Sequence, residues 1–269
     1  MCLYSVVSVH EINKIVMISL FRNFRNKLLY EGQFRKYLIY AAGEILLIVL
    51  GIMIALSINN WNQYSKDRKA EREYLKRIVH DLQLDAAYYI KSINRSQQIM
   101  DLHKTFIDEI YNVQASLAET RNLLQDFLNF GVYYLHVNDE TIKELMSTGN
   151  LSKITNDTVR SAILNYYNSV EQAESHIEEW NNSGANGLDR FWNAVPSLIK
   201  IIYEPDIYNE QRVLESEWTF INNPKSNEFK LLERNARTYR SKNRDFIYYY
   251  QKLNVQAEEL IELILKNIT

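Results

Sequence analysis

The sequence predicts an all-α protein, and three observations carry that expectation. The chain holds only 7 Gly and 3 Pro in 269 residues, with neither between Ile52 and Phe130, so little interrupts a helix there. The 22 residues from Tyr37 to Ile58 contain one charged side chain, Glu44. Apolar residues then recur at spacings of three and four from Phe229 to Ile264. The expected architecture is an N-terminal interfacial helix, one transmembrane helix continuing into a long helix, and an antiparallel bundle closed by a long C-terminal helix. The expected divisions are 1–16, 17–36, 37–61 and 62–269.

Residues Met1 to Val16 have no basic start, long apolar run or small-residue cleavage site, so they do not read as a signal peptide. The better-formed segment opens at Met17, where translation is expected to begin. In Met17–Tyr30, the residues Met17, Leu20, Phe21, Phe24 and Leu28 share one helix face, with Arg22, Arg25 and Lys27 on the remainder. That pattern is a basic amphipathic helix lying among lipid headgroups.

From Tyr37 to Ile58 a helix would be about 33 Å long, enough to cross a bilayer core of about 30 Å. Tyr37, Tyr40, Trp61 and Tyr64 supply the aromatic belts at its ends. Arg22, Arg25, Lys27, Arg35 and Lys36 precede the span, and Lys66, Arg68, Lys69 and Arg72 follow it. The short basic tail set tight against the span places the N-terminus in the cytoplasm. Glu44, Gly51, Ala55 and Asn62 fall within about 20° of one another around the helix. Two readings of that stripe stand. It is a helix-packing face with small residues at Gly51 and Ala55, or Glu44 extends to the interface from a position close to Lys36.

Beyond the span, Leu75, Ile78, Leu82, Tyr89, Ile93, Ile99 or Met100, Phe106, Ile110 and Val113 form an apolar face, interrupted by Asp85, Ser92, Ser96 and His103. A turn is expected at Asn112–Ala115. Ser116 and Glu119 then make a capping box for a helix reaching Phe130, before Gly131. A short helix follows from Asn138, as its cap, to Thr148, with Gly149 closing it in the left-handed conformation. Asn156 caps a helix to about Asn182 whose inner stripe runs from Ala162 to Trp180. The segment Asn181–Asp206, with Gly184, Gly187, Pro196 and Pro205, is expected to be irregular, with a short helix near Leu188–Val195. Its aromatics Phe191, Trp192 and Tyr203 are expected to cap an open end of the bundle. Ile207–Asn222 reads as a further helix, and Asn223-Pro224 as the start of the last one. The last helix carries a seam of Phe229, Leu232, Ala236, Tyr239, Asn243, Phe246, Tyr250, Leu253, Ala257, Leu260 and Ile264, in which Asn243 is a register-setting polar position. Its partner is the long membrane-proximal helix or a second copy, the first being favoured.

The blocks KYLIYAAGEILLIVLGIMIALSINNWN (Lys36–Asn62) and TIKELMSTGNLSKITNDTVRSAILNYY (Thr141–Tyr167) resemble a family of single-pass membrane proteins of unknown function from Bacteroidota. LFRNFRNKLL (Leu20–Leu29) is similar to the usual start of that family. The resemblance implies an inner-membrane protein and supplies neither an activity nor catalytic residues.

Phosphate-loop, dinucleotide-binding and nucleophile-elbow motifs are missing from the chain. Its one cysteine, Cys2, and its near-neutral formal charge of −2 give no disulfide framework, no thiolate metal site and no basic stripe for nucleic acid. No cofactor is expected. No histidine has Glu three positions before it, as a bundle di-metal site requires. Asp81 and Asp85 beside His80, and the glutamates around His176, read as solvated helix faces. The expected role is an interaction or scaffold protein held in the bilayer, with a membrane partner or second copy bound through the span. The alternative is a sensor whose bundle binds a small ligand or peptide. An enzyme ranks last.

Overall fold

The computed structural model describes residues 34–128 and 134–268. It contains six α-helices and no strand among the described residues. The expected interfacial segment Met17–Tyr30, with Arg22, Arg25 and Lys27, lies outside the described residues, as do Met1–Val16 and Gly131. The chain divides into two units, Met1–Asp67 and Arg68–Thr269.

Helix α1 spans Phe34–Ile110, as the absence of Gly and Pro after Gly51 predicts. In the first unit its large apolar side chains are exposed on every side, among them Leu38, Ile39, Ile45 to Leu50, Ile52 to Ile54, Leu56 and Ile58. The helix is long and apolar enough to cross a membrane.

The second unit is the bundle. It contains the rest of α1, then α2 (Leu117–Leu128), α3 (Glu140–Ser147), α4 (Asp157–Ala194), α5 (Pro196–Tyr203) and α6 (Asn227–Ile268). Two apolar clusters fix its topology. Leu75 to Tyr89 of α1 pack with Val159 to Ile177 of α4 and Phe246 to Ile264 of α6. Phe106 and Ile110 of α1 pack instead with Phe191 and with Phe229 to Tyr239 of α6. The Leu75–Tyr89 part of α1 therefore meets the late part of α6, and its Phe106–Ile110 part the early one, so α6 runs antiparallel to both α1 and α4. Every residue of the predicted α6 seam is buried.

Local signals behave largely as expected. Ser116 N–H donates to Glu119 Oε2 (2.8 Å), and Glu119 N–H donates back to Ser116 Oγ (3.4 Å), closing the capping box that starts α2. Asn156 Oδ1 accepts from the Thr158 and Val159 amides. Gly149 takes φ 71°, which a side chain would resist.

Three expectations about element boundaries are corrected. First, α4 does not stop near Asn182; it runs through Gly184 and Gly187 to Ala194, and no separate Leu188–Val195 helix forms. These glycines are packing positions. A Cβ at Gly184 would lie 3.5 Å from the Tyr239 ring, and one at Gly187 would overlap Asn235 Oδ1. Asn235 Nδ2 also donates to Gly187 O (3.1 Å). Pro196 then opens α5 at its first turn, where a missing N–H costs nothing. Phe191 is buried in the second cluster.

Second, Ile207–Asn222 is not an α-helix but three single 3₁₀ turns, Glu210–Arg212, Glu215–Glu217 and Thr219–Asn222. Its polar side chains turn inward at spacings no α-helix provides. Glu217 accepts from the Ser197 and Leu198 amides at the start of α5 (2.6 and 3.1 Å). Asn222 makes a reciprocal pair with the Ala115 N–H and C=O (2.8 and 2.9 Å). Third, α6 starts at Asn227, not at Pro224. Ser226 Oγ accepts from Phe229 N–H (3.1 Å), and Asn223 instead closes a turn onto Lys225 N–H.

The α6 seam meets α1 as expected, in both clusters, and also α4, whose backbone lies closer to it. Ala173, Gly184, Gly187, Ala236 and Ala257 permit that approach, whereas rings separate α1 from α6. Tyr89 stacks on Tyr250 (6.1 Å) and His103 on Tyr239 (5.7 Å). Asn243 lies fully buried in the seam, and its Nδ2 donates to Tyr239 O one turn back (2.9 Å). The hydrogen bond it forms is therefore within its own helix.

Gly187→Ala is expected to destabilise the bundle by about 1–2 kcal/mol. Displacement of buried Asn235 and loss of its bond outweigh the roughly 1 kcal/mol gain in helix propensity. Chemical denaturation of the single variant and of Gly187→Ala/Asn235→Ala checks this, since removing Asn235 makes room for the methyl group and restores most of the loss.

Candidate functional site

The buried face of α1 carries polar residues at the same spacing as its apolar ones. Asp85 and His103 are 0 % exposed, and Glu71 and Ser96 are also buried. They continue the stripe rather than interrupt it. The question is what satisfies each of them, because a buried charge without partners costs several kcal/mol.

Asp85 answers through three donors. Its Oδ1 accepts from Asn138 N–H and Asn138 Nδ2, both 2.8 Å, and its Oδ2 accepts from Tyr166 OH (3.0 Å). Tyr166 OH lies 2.9 Å from Tyr89 OH. With the Tyr166 proton committed to the carboxylate, Tyr89 donates to Tyr166, and a two-step relay ends on Asp85. Burial raises the Asp85 pKa against the lowering effect of its three donors. Burial also drives the Tyr166 hydroxyl far above its ordinary range, with the Tyr89 and Asp85 charges adding to it. Both tyrosine hydroxyls therefore stay protonated through the neutral range. The solvated-face reading of Asp81–Asp85 is corrected for Asp85. Asn138 is likewise not the cap of α3, whose N-cap is Asp139; it reaches Asp85 instead.

Glu71 repeats the arrangement. It accepts from Thr155 N–H (2.7 Å) and Thr155 Oγ1 (3.0 Å), with Arg68 against its other oxygen. Glu217 does the same at the start of α5. Each of these carboxylates thus anchors the backbone of a loop or helix start that comes from elsewhere in the bundle, where a negative charge on amide N–H groups is favourable. This chemistry holds segments in place. Sequence reading missed Glu71 and Glu217; Glu71 lies one turn before Leu75 on the same stripe, which is the one signal that could have flagged it.

A second polar region lies where α1 and α6 are held apart. His103 Nδ1 donates to Ile99 O (2.8 Å), and burial holds the imidazole pKa down at about 4. Lys242 is 1 % exposed, with its ammonium 5.2 Å from the Tyr239 ring and 5.4 Å from the Phe246 ring. Burial lowers its pKa to about 8. Beside these groups the α1–α6 seam opens to the surface as a groove of about 470 Å³, lined by Lys104, Asp108, Arg237, Arg240, Ser241 and Arg244 together with Met100 and Ile107. Sequence reading missed the groove, because its two walls meet only across the fold, and missed Lys242, although Tyr239 and Phe246 one turn to either side were the local signal for it.

The predicted stripe Glu44, Gly51, Ala55 and Asn62, and the basic residues Arg35 and Lys36, are all exposed on α1. A Cβ at Gly51 would meet nothing within 4 Å, so the small residues of the stripe face open space. His176 sits on an exposed face, 4.0 Å from Glu179 and stacked on Tyr249. Among the described residues no group of three or more His, Cys, Asp or Glu side chains could hold a metal ion.

A model for a family of unknown function, DUF6090, matches residues 44–186, more than half of the 269 residues. The chain belongs to this family. The DUF6090 match begins at Glu44 and takes in Glu71 with Thr155 and Asp85 with Asn138 and Tyr166, so two of the three carboxylate anchors lie wholly inside it. Helix α6 and the basic residues it contributes to the groove lie beyond the DUF6090 region. No curated protein and no solved structure matches the chain.

Proposed function

We propose that this DUF6090 chain is a single-pass protein of the inner membrane of a Bacteroidota bacterium, with its N-terminus in the cytoplasm and its bundle outside. There it works as an interaction or scaffold module. The observation that carries this reading is the segment Tyr37–Ile58, whose large apolar side chains are exposed around the whole helix; water does not tolerate such a surface, and lipid does. The buried carboxylates support a non-enzymatic role, since their oxygens are occupied in holding loops. The stripe Glu44, Gly51, Ala55 and Asn62 is the proposed face for a membrane partner or second copy.

The chain is expected to stay in the membrane pellet after carbonate washing. A cysteine placed at exposed Ser183 in a Cys2→Ser background is expected to react with a membrane-impermeant maleimide in cells whose outer membrane has been opened. Labelling only after the inner membrane is lysed would reverse the orientation. Pull-downs of the wild type and Glu44→Gln should yield different membrane partners, and identical partner sets would remove Glu44 from partner choice.

The groove between α1 and α6 favours a second reading, a sensor whose bundle takes a small ligand and acts through a partner at the span. At about 470 Å³ it falls within the range of small-molecule sites.

A further inference from the structure

We infer that the α1–α6 groove binds a small anion carrying two phosphate groups. The inference rests on the sensor reading for the role of the bundle and adds the chemistry of its ligand.

The groove is a consequence of packing. Small residues bring α4 and α6 together, whereas Tyr89 on Tyr250 and His103 on Tyr239 set α1 back by the thickness of stacked rings. The space left on the outer side of the seam is open, and its charge runs against that of the protein. Four cations, Lys104, Arg237, Arg240 and Arg244, line it with one carboxylate, Asp108; with Glu233 and Asp245 beside two of the arginines, the local balance is +1 in a chain of formal charge −2. The three arginines recur every three or four residues, so they stand on one face of α6. Lys104 and Asp108, one turn apart, face them from α1.

Arg237 is bonded to Glu233 (2.6 Å), and Arg244 lies 3.6 Å from Asp245. Among the described residues no carboxylate pairs with Lys104 or Arg240, which stand on opposite walls. Two walls, each offering a cation, suit an anion with two charged ends rather than a single ion. Guanidinium groups match phosphate oxygens bidentately, and Ser241 adds a hydroxyl on the same wall as Arg240. Along α1 the seam continues as a narrower cleft of about 160 Å³ lined by Lys91, Arg95 and Tyr88, which extends the positive field and steers anions toward the groove.

The test uses the full chain in phosphatidylcholine nanodiscs, with pyrophosphate as the probe and ionic strength held constant with chloride. The expected result is a saturable rise in the thermal midpoint and a binding isotherm by calorimetry. Lys104→Glu/Arg240→Glu should weaken binding at least tenfold, while Lys225→Glu, on an exposed turn outside the groove, should leave it unchanged. If charge reversal disturbs folding, Lys104→Gln/Arg240→Gln gives the same comparison without added repulsion. Dispersed short-chain phosphatidylglycerol, added below its micellar concentration, separates the two sources of phosphate. Competition with pyrophosphate assigns the groove to a lipid headgroup, and no competition assigns it to a soluble anion. No saturable binding, or equal binding by wild type and both double variants, overturns the site. Cysteine crosslinking at Gly51 reads the span separately, so loss of the anion site and loss of signalling through a membrane partner give different results.

Discussion

Asp85→Leu is expected to lower the stability of the bundle by about 3–5 kcal/mol, the range for breaking a buried, hydrogen-bonded charge site. The loss does not come from removing a charge, since leucine is a better core residue than aspartate. It comes from what is left behind: Asn138 N–H, Asn138 Nδ2 and Tyr166 OH all donate to this carboxylate. An unsatisfied buried donor costs about 1–3 kcal/mol. Asp85→Asn separates the two effects. Its Oδ1 still accepts from Asn138, and its NH₂ can donate to Tyr166 OH once that hydroxyl turns, so the expected cost is about 1 kcal/mol. Urea denaturation of the two variants measures the difference, and equal losses would show that the negative charge itself, rather than the donors, is what the site requires.

The pH behaviour of the same group has a definite sign. Asp85 has a raised pKa in the fold, so between its unfolded and folded values the native state binds more protons than the unfolded state. Asp85 therefore favours folding as pH falls through that window, opposite to the usual salt-bridged carboxylate. Asp85→Asn should remove this contribution and leave the acid limb of the stability curve steeper than in wild type.

Which features were legible in the sequence follows from how local their causes are. The α6 seam was readable from Phe229 to Ile264 because a sustained three-four spacing of large residues has one helical interpretation. The Ser116–Glu119 box and the Asn156 cap were readable because donor and acceptor lie within three residues. Gly184 and Gly187 look like breakers in the sequence because a glycine that ends a helix and one that admits a neighbour are alike until Tyr239 and Asn235 stand opposite them. Asp85 looks solvated in the sequence because its donors lie 53 and 81 residues away. The Ile207–Asn222 segment has helix-like composition, but Glu217 and Asn222 are committed to Ser197 and Ala115, and those long-range bonds override local propensity. The long apolar helix needed no tertiary information, since length and apolarity are properties of the segment alone.

Lys242→Met is expected to stabilise the bundle by about 1–3 kcal/mol at pH 7. Burial takes the ammonium from its usual 10.5 to about 8; at about 1.4 kcal/mol per unit this is a cost of roughly 3 kcal/mol carried by the charged form. Attraction to the Tyr239 and Phe246 rings offsets part of it, and methionine keeps most of the volume in contact with them. Below pH 8 the lysine is charged in both states and the cost is present in full. Between pH 8 and 10.5 the unfolded chain holds the proton that the native state has released, so wild-type stability rises with pH. The advantage of Lys242→Met should therefore shrink across that interval. His103 supplies the opposite limb. Its folded value near 4 against 6.5 leaves the native state neutral while the unfolded chain charges, so stability is full above pH 6.5 and falls as pH drops toward 4. His103→Phe keeps a ring against Tyr239 and Phe127 and should flatten that limb. The Lys242 charge contributes to the low His103 value, so Lys242→Met should also raise that value and shorten the acid limb from its low-pH end. Unfolding midpoints of wild type and both variants from pH 4 to 11 test these signs together. A Lys242→Met chain that is less stable than wild type at pH 7, or a gap that does not narrow above pH 8, would mean that the buried ammonium is favourable to the fold.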